Sequence, residues 1–246
     1  MGSLIPFPDG GYAFLEGVFP YSQGVVALPG FAIERASFGR PAPIAEGFRK
    51  ISQFLALQNR PKTALCAAEL RSPRPFSFAG FGEFNKGYVD VLERWRLYRE
   101  GRNPVARSNV APETNPPAEP CFHAFCYTVP SGGTGSFAVA GSGEWPEGGR
   151  FPEDIVARGD VSAAGLKRKS DWVIDMMESR MRGLGVGWKT ATVTQIYTVH
   201  DIHALMPAIR RRVGPSTITH HYCRPPIAEL EFEMDLRGVS VERMLT

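Results

Sequence analysis

Phe81, Phe84, Tyr88, Val91, Trp95 and Tyr98 recur at intervals of 3, 4, 3, 4 and 3. That spacing places all six on one face of a helix. A face so rich in rings has to be covered, and the usual cover is a sheet. The stripe therefore demands a layered fold with this helix as one wall. It is read as core rather than as a cofactor cradle, and Gly101 is the expected stop.

The segments around it supply the layers. Ile44, Phe48, Ile51 and Leu55 mark an earlier amphipathic helix that starts near Pro41 or Pro43. Strands are expected at 12–19, 24–28, 31–38, 63–70, around Arg107 and at 121–129. Ser131-Gly132-Gly133-Thr134-Gly135 is short, small and flexible, and reads as a linker. Beyond it the order of elements partly repeats. A strand at 136–141 precedes a helix capped by Asp160 or Ser162, with Leu166, Val173, Met177, Met181 and Leu184 on one face. A strand over 189–199, a helix over 201–212 and strands over 217–223 and 228–236 follow.

The chain thus divides into 1–130 and 131–246, each expected as a mixed sheet with two helices on one face. That is an α+β architecture. The sheet face left bare by the helices has to be buried too, which points to assembly with other sheets.

Composition removes several function classes. Hydrophobic residues make up 43% and charged residues 22%, as in an ordinary globular protein. A net charge of +3 with no basic stripe argues against nucleic acid as a partner. No apolar run approaches the roughly 18 residues of a membrane span, and the N-terminus carries no secretory pattern. Cys66, Cys121, Cys126 and Cys223 show no CxxC spacing and read as buried reduced thiols, so a cytoplasmic protein is expected. The adjacent His220 and His221 alternate across a strand, and neither they nor His123 with Cys126 match a zinc spacing. Neither a metal nor a cofactor is expected.

Candidate chemistry centres on Arg107, on a short strand after the aromatic helix. A guanidinium fork there suits a carboxylate, although a surface arginine fits the same spacing. Gly141-Ser142-Gly143 lacks the Lys-Ser/Thr of a phosphate loop, but Ser142 or the neighbouring amides could hold a carboxylate oxygen. Glu229, Glu231, Glu233 and Asp235 alternate with Leu230, Phe232 and Met234, so one acidic face needs a cation. Arg224 is the nearest in sequence and could act as a second carboxylate clamp.

Three segments carry a family resemblance. Pro20-Tyr21-Ser22-Gln23 with Gly24-Val25-Val26, Phe84-Asn85-Lys86-Gly87-Tyr88, and Ala106-Arg107-Ser108 with Val110 resemble, in order and rough spacing, segments of the Rid (YjgF) family, the reactive intermediate deaminases. Residues 137–143 and Leu230-Glu231-Phe232-Glu233 are similar to the family's SGQ and closing strands. The resemblance implies two tandem Rid-like domains, a homotrimer with sites at interfaces, and hydrolysis of enamines or imines to a keto acid and ammonia. It implies that Arg107, beside Tyr21, binds a substrate carboxylate and that a glutamate on the last strand positions water. In the second half that glutamate matches Glu231, whereas in the first half its place falls near His123, a competent acid or base. Two pairings stay open: Arg107 with Glu231 across an interface, or Arg107 with His123. The expected substrate is a small carboxylated enamine or imine, aminomuconate-like intermediates of aromatic breakdown being one class. The alternative is a non-catalytic Rid-fold protein that binds a small carboxylate or a partner protein.

Overall fold

The computed structural model describes residues 2–133 and 135–245. Thr134, inside the expected linker, lies outside the described residues. Among the described residues, two sheets and four α-helices form the core of the fold.

In the first sheet, β4 (Phe31–Pro43) runs antiparallel to β7 (Cys121–Pro130), which pairs antiparallel with β5 (Leu65–Arg71). Next comes β6 (Ala106–Pro112), parallel to β5 in the register Ala68↔Arg107 and Leu70↔Asn109. Helices α1 (Ile44–Leu57) and α2 (Phe78–Arg94) belong to this half of the chain. Phe48, Ile51 and Leu55 of α1 and Tyr88 and Leu92 of α2 are buried in one core with Phe122 and Phe125. Phe48 meets the Tyr88, Trp95 and Phe122 rings at centroid distances of 5.5, 5.2 and 4.9 Å.

The aromatic stripe is helical only as far as Arg94. Arg96 takes a φ of 59°, so the chain turns there, and Gly101 sits in a later turn rather than capping the helix. Trp95 and Tyr98 still pack on the core from this turn, which is why they kept the apolar spacing.

The second sheet has the order β1 (Leu4–Phe7), β2 (Tyr12–Leu15), β3 (Gly24–Ala27), β8 (Phe137–Gly143), β12 (Glu233–Gly238), β9 (Val193–Tyr197) and β10 (Thr217–His221). On it lies α3 (Ala163–Leu184), whose Val173, Ile174, Met177 and Met181 pack with Phe137, Val139, Met234 and Leu236. Ser162 caps α3 by accepting a hydrogen bond from Gly165 N, and Gly185 ends it at φ 72°. Helix α4 (Met206–Val213) begins later than Asp201; a 3-10 turn at His203–Leu205 comes first. The last long strand is also shorter than expected. Glu229 at φ 79° turns the chain, and pairing starts only at Glu233.

Strands cross between the two parts of the sequence. The N-terminal β1–β3 extend the second sheet, while β11 (Cys223–Arg224) and β13 (Glu242–Leu245) from the C-terminal part edge the first. The sheet faces without helices meet each other along small residues, with Ala67 and Ala106 on one side and Ala138 and Ala140 on the other. Small side chains permit that close approach, so each sheet covers part of the other within one chain. No helix among the described residues is long and apolar enough to cross a membrane.

Candidate active site

Where the two sheets meet α2, a cavity of about 390 Å³ opens. Its walls come from β6 (Arg107, Asn109), α2 (Phe81, Asn85), β8 (Gly141, Ser142, Gly143), β12 (Glu233) and the turn holding Tyr21. That volume lies in the range of roughly 300–1,000 Å³ usual for small-molecule sites.

Arg107 enters the cavity from β6. Residues 107 and 109 share a face of β6, because side chains alternate along a strand. Only 3% of Arg107 is exposed, yet no carboxylate pairs with it among the described residues. Its Nη2 donates to Asn85 Oδ1 at 2.6 Å, and its Nη1 has no acceptor. Four rings enclose the guanidinium: Tyr88, Tyr21, Phe81 and Phe84 have centroids 4.8, 5.3, 5.5 and 5.8 Å from Cζ. Burial pulls its pKa down, the opposite of what an ion pair would do.

Asn109 adds an unsatisfied donor to the same strand face. Its Oδ1 accepts from Ser72 Oγ at 3.0 Å, which leaves the buried Nδ2 without a partner. Tyr88, its hydroxyl also unpartnered, has its pKa pushed up to about 12 by burial.

Glu233 enters from the opposite sheet. It is 3% exposed, and burial, with repulsion from Asp235 next, raises its carboxyl well above the usual range. The protonated form is therefore favoured. Its Oε1 lies against Gly141, where an added Cβ would collide with that oxygen.

The other candidate residues divide between this cavity and elsewhere. Tyr21 and Ser142 line it. Glu231 does not: it precedes the paired part of β12 and holds His200 Nε2 at 2.5 Å. Arg224 lies at the edge of the first sheet in an exposed ion pair with Glu113. His123 lines a separate groove with Arg71, Cys121, His221 and Cys223, where burial lowers its pKa to about 4. Within one chain neither Glu231 nor His123 shares a cavity with Arg107; the acids that do are Glu233 and Glu147. Sequence reading also passed over Asn109, Arg180 and Glu147. Alternation from Arg107 was a signal for Asn109, whereas nothing local marked the other two.

A family model described as 2-aminomuconate deaminase CnbZ matches residues 4–243. The chain belongs to that family. It is 45% identical over 252 aligned positions to the 2-amino-5-chloromuconate deaminase of Comamonas testosteroni, with all of both chains covered. Among solved structures, a chorismatase shares the fold at a TM-score of 0.52 and 12% identity, over 92% of this chain and 79% of that one. The YjgF gene product of E. coli matches 42% of this chain and 80% of its own at 12% identity and a TM-score of 0.30. The deaminase expectation and the α+β fold are borne out. This is an enzyme acting on C–N bonds rather than a binding protein alone.

Proposed function

We propose that the Arg107–Glu233 cavity is the active site, and that it hydrolyses the C–N bond of a 2-aminomuconate-type enamine through its imine tautomer. The observation that carries this reading is a pair of buried donors without acceptors, Arg107 Nη1 and Asn109 Nδ2, on one strand face in one cavity. Buried donors left unpaired are costly, so the site is built for an acceptor that arrives with the substrate. A carboxylate offers two oxygens and a charge to match the guanidinium.

Glu233 is then the acid and base. Its carboxyl protonates the imine nitrogen. The resulting carboxylate takes a proton from water as the water oxygen bonds to the imine carbon, giving a carbinolamine. A second proton from Glu233 goes to the amine nitrogen. The C–N bond breaks, ammonia leaves, and the hydroxyl proton returns to Glu233 as the carbonyl forms. One water is consumed, one ammonia released, and the residue ends protonated as it began. Its raised pKa suits the first step.

The resemblance further supports two tandem Rid-like halves, 1–130 and 131–246, and a homotrimer, and the four cysteines without CxxC spacing support a cytoplasmic location. Two helices on one face of each sheet favour the tandem reading. The test of the active site is ammonia release from 2-aminomuconate by wild type, Arg107→Ala and Glu233→Gln. Rates for both variants equal to wild type would remove the cavity from the chemistry.

A further inference from the structure

Helix α3 carries two buried cations, Lys169 and Arg180, and each meets a glutamate from the segment after β8. The two pairs differ in a way that points to function. Lys169 and Glu144 are both fully buried. Glu144 also accepts from the Glu231 and Phe232 backbone amides at 2.7 and 3.1 Å, so its carboxylate is tied into the structure. Glu147 has no such anchorage. Its side chain, 17% exposed, lies in the cavity wall and takes two hydrogen bonds, from Arg180 Nη2 at 2.7 Å and Gln23 Nε2 at 2.8 Å. Gly148, at φ 79°, and Gly149 follow it, so the backbone beside it is free to turn.

Arg180 itself is fixed. It is 1% exposed, and its Nη1 donates to the carbonyls of Ala140 and Gly141 at 2.9 and 3.1 Å. A cation held this way keeps an anion beside it, because leaving it unpaired in the interior is costly. Any group that displaces Glu147 must therefore bring its own carboxylate.

We infer that Arg180 and Gln23 form a second carboxylate subsite in the cavity, and that Glu147 occupies it until the distal carboxylate of a dicarboxylic substrate takes its place. This rests on the reading of the cavity as the active site and extends it to how the second carboxylate of the substrate is held. A dicarboxylate is held at both ends, by Arg107 with Asn109 and by Arg180 with Gln23. A monocarboxylate leaves Glu147 where it is.

The experiment is calorimetric titration of the full chain with two unreactive six-carbon dienes, muconate with two carboxylates and sorbate with one. Wild type is expected to prefer muconate. In Glu147→Gln muconate no longer competes with an internal carboxylate, and its affinity should rise by roughly tenfold or more, the scale of one charge-assisted hydrogen bond. Sorbate affinity should stay unchanged. Unchanged or weaker muconate binding, or an equal gain for sorbate, overturns the inference. If Glu147→Gln does not fold, Arg180→Met with Glu147→Gln leaves no unpaired charge, and the preference for muconate should vanish; a preference that survives overturns the subsite. Neither ligand turns over, so an absence of ammonia release by a protein that still prefers muconate counts against the proposed reaction and not against the subsite.

Discussion

Replacing Arg107 by Met separates what the residue does for binding from what it does for folding. The guanidinium gives up its bond to Asn85, a charge-assisted contact of about 1.5–3 kcal/mol, and its place among four rings, which contributes about 0.5–2 kcal/mol. Against this, a cation buried without a carboxylate partner carries a desolvation cost of several kcal/mol, which Met removes. Met is also flexible enough to fill the ring-lined space. The opposing contributions are of similar size, so stability should change by no more than about 2 kcal/mol. Substrate binding has no such compensation. A carboxylate entering without its cation loses about 2–5 kcal/mol, or roughly 30- to 5,000-fold in kcat/KM. Urea unfolding followed by circular dichroism and ammonia-release kinetics measure the two effects on one preparation. A stability loss above about 4 kcal/mol, with activity per folded molecule retained, would refute the reasoning and make Arg107 a structural residue.

Glu233→Gln should lower kcat by roughly 10²- to 10⁴-fold with little change in stability, since Gln is close in shape to a protonated glutamate. Glu231→Gln, outside the cavity, should stay within about threefold of wild type; a loss as large as that of Glu233→Gln would exchange the roles assigned to them. Asn109→Leu should raise KM by about tenfold, and Ser72→Ala by less because Ser72 only orients the amide; an unchanged KM in Asn109→Leu removes it from the site. His123 and His221 have folded pKa values near 4, below the unfolded value of about 6.5, so the unfolded chain takes up protons first as pH falls. Stability contributed by their neutral forms is present above pH 6.5 and is lost towards pH 4, by about 2 kcal/mol for His123 between pH 7 and 5 and by less for His221, whose greater exposure lets solvent screen it. Urea titrations at those two pH values should show that loss reduced by at least half in His123→Gln, and an unaltered loss would show that other groups govern it.

Periodicity made the layers legible and left their connections hidden. The 3–4 spacing located α1, α2 and α3, and the alternation over 121–129 located β7. Helix ends were less visible. Apolar spacing ran through Trp95 and Tyr98 because both pack on the core, although the backbone had already turned at Arg96. Strand exchange left no local signature at all. Nothing in Tyr12–Leu15 or Glu242–Leu245 announces which sheet it joins, since pairing partners are set by long-range contacts. The same limit applied to the acids. Glu229, Glu231, Glu233 and Asp235 have one alternating pattern, and only the turn at Glu229 and the start of pairing at Glu233 decide which acid reaches the cavity.

The arrangement of Arg107 and Glu233 follows from what each must remain before substrate binds. If they touched, Glu233 would ionise and Arg107 would lose the free valence that binds a carboxylate, and both functions would cancel. Placing them on different sheets prevents this. Arg107 is drawn towards α2 by Asn85 and the four rings, while Glu233 lies along β8 in the space that Gly141 leaves by having no side chain. Ala at position 141 would drive a methyl group into the Glu233 carboxyl and displace it from its place along β8. The separation is held from both sides, by an amide and aromatic rings on one wall and by a missing Cβ on the other. The volume kept open between the two groups is the volume available to a substrate.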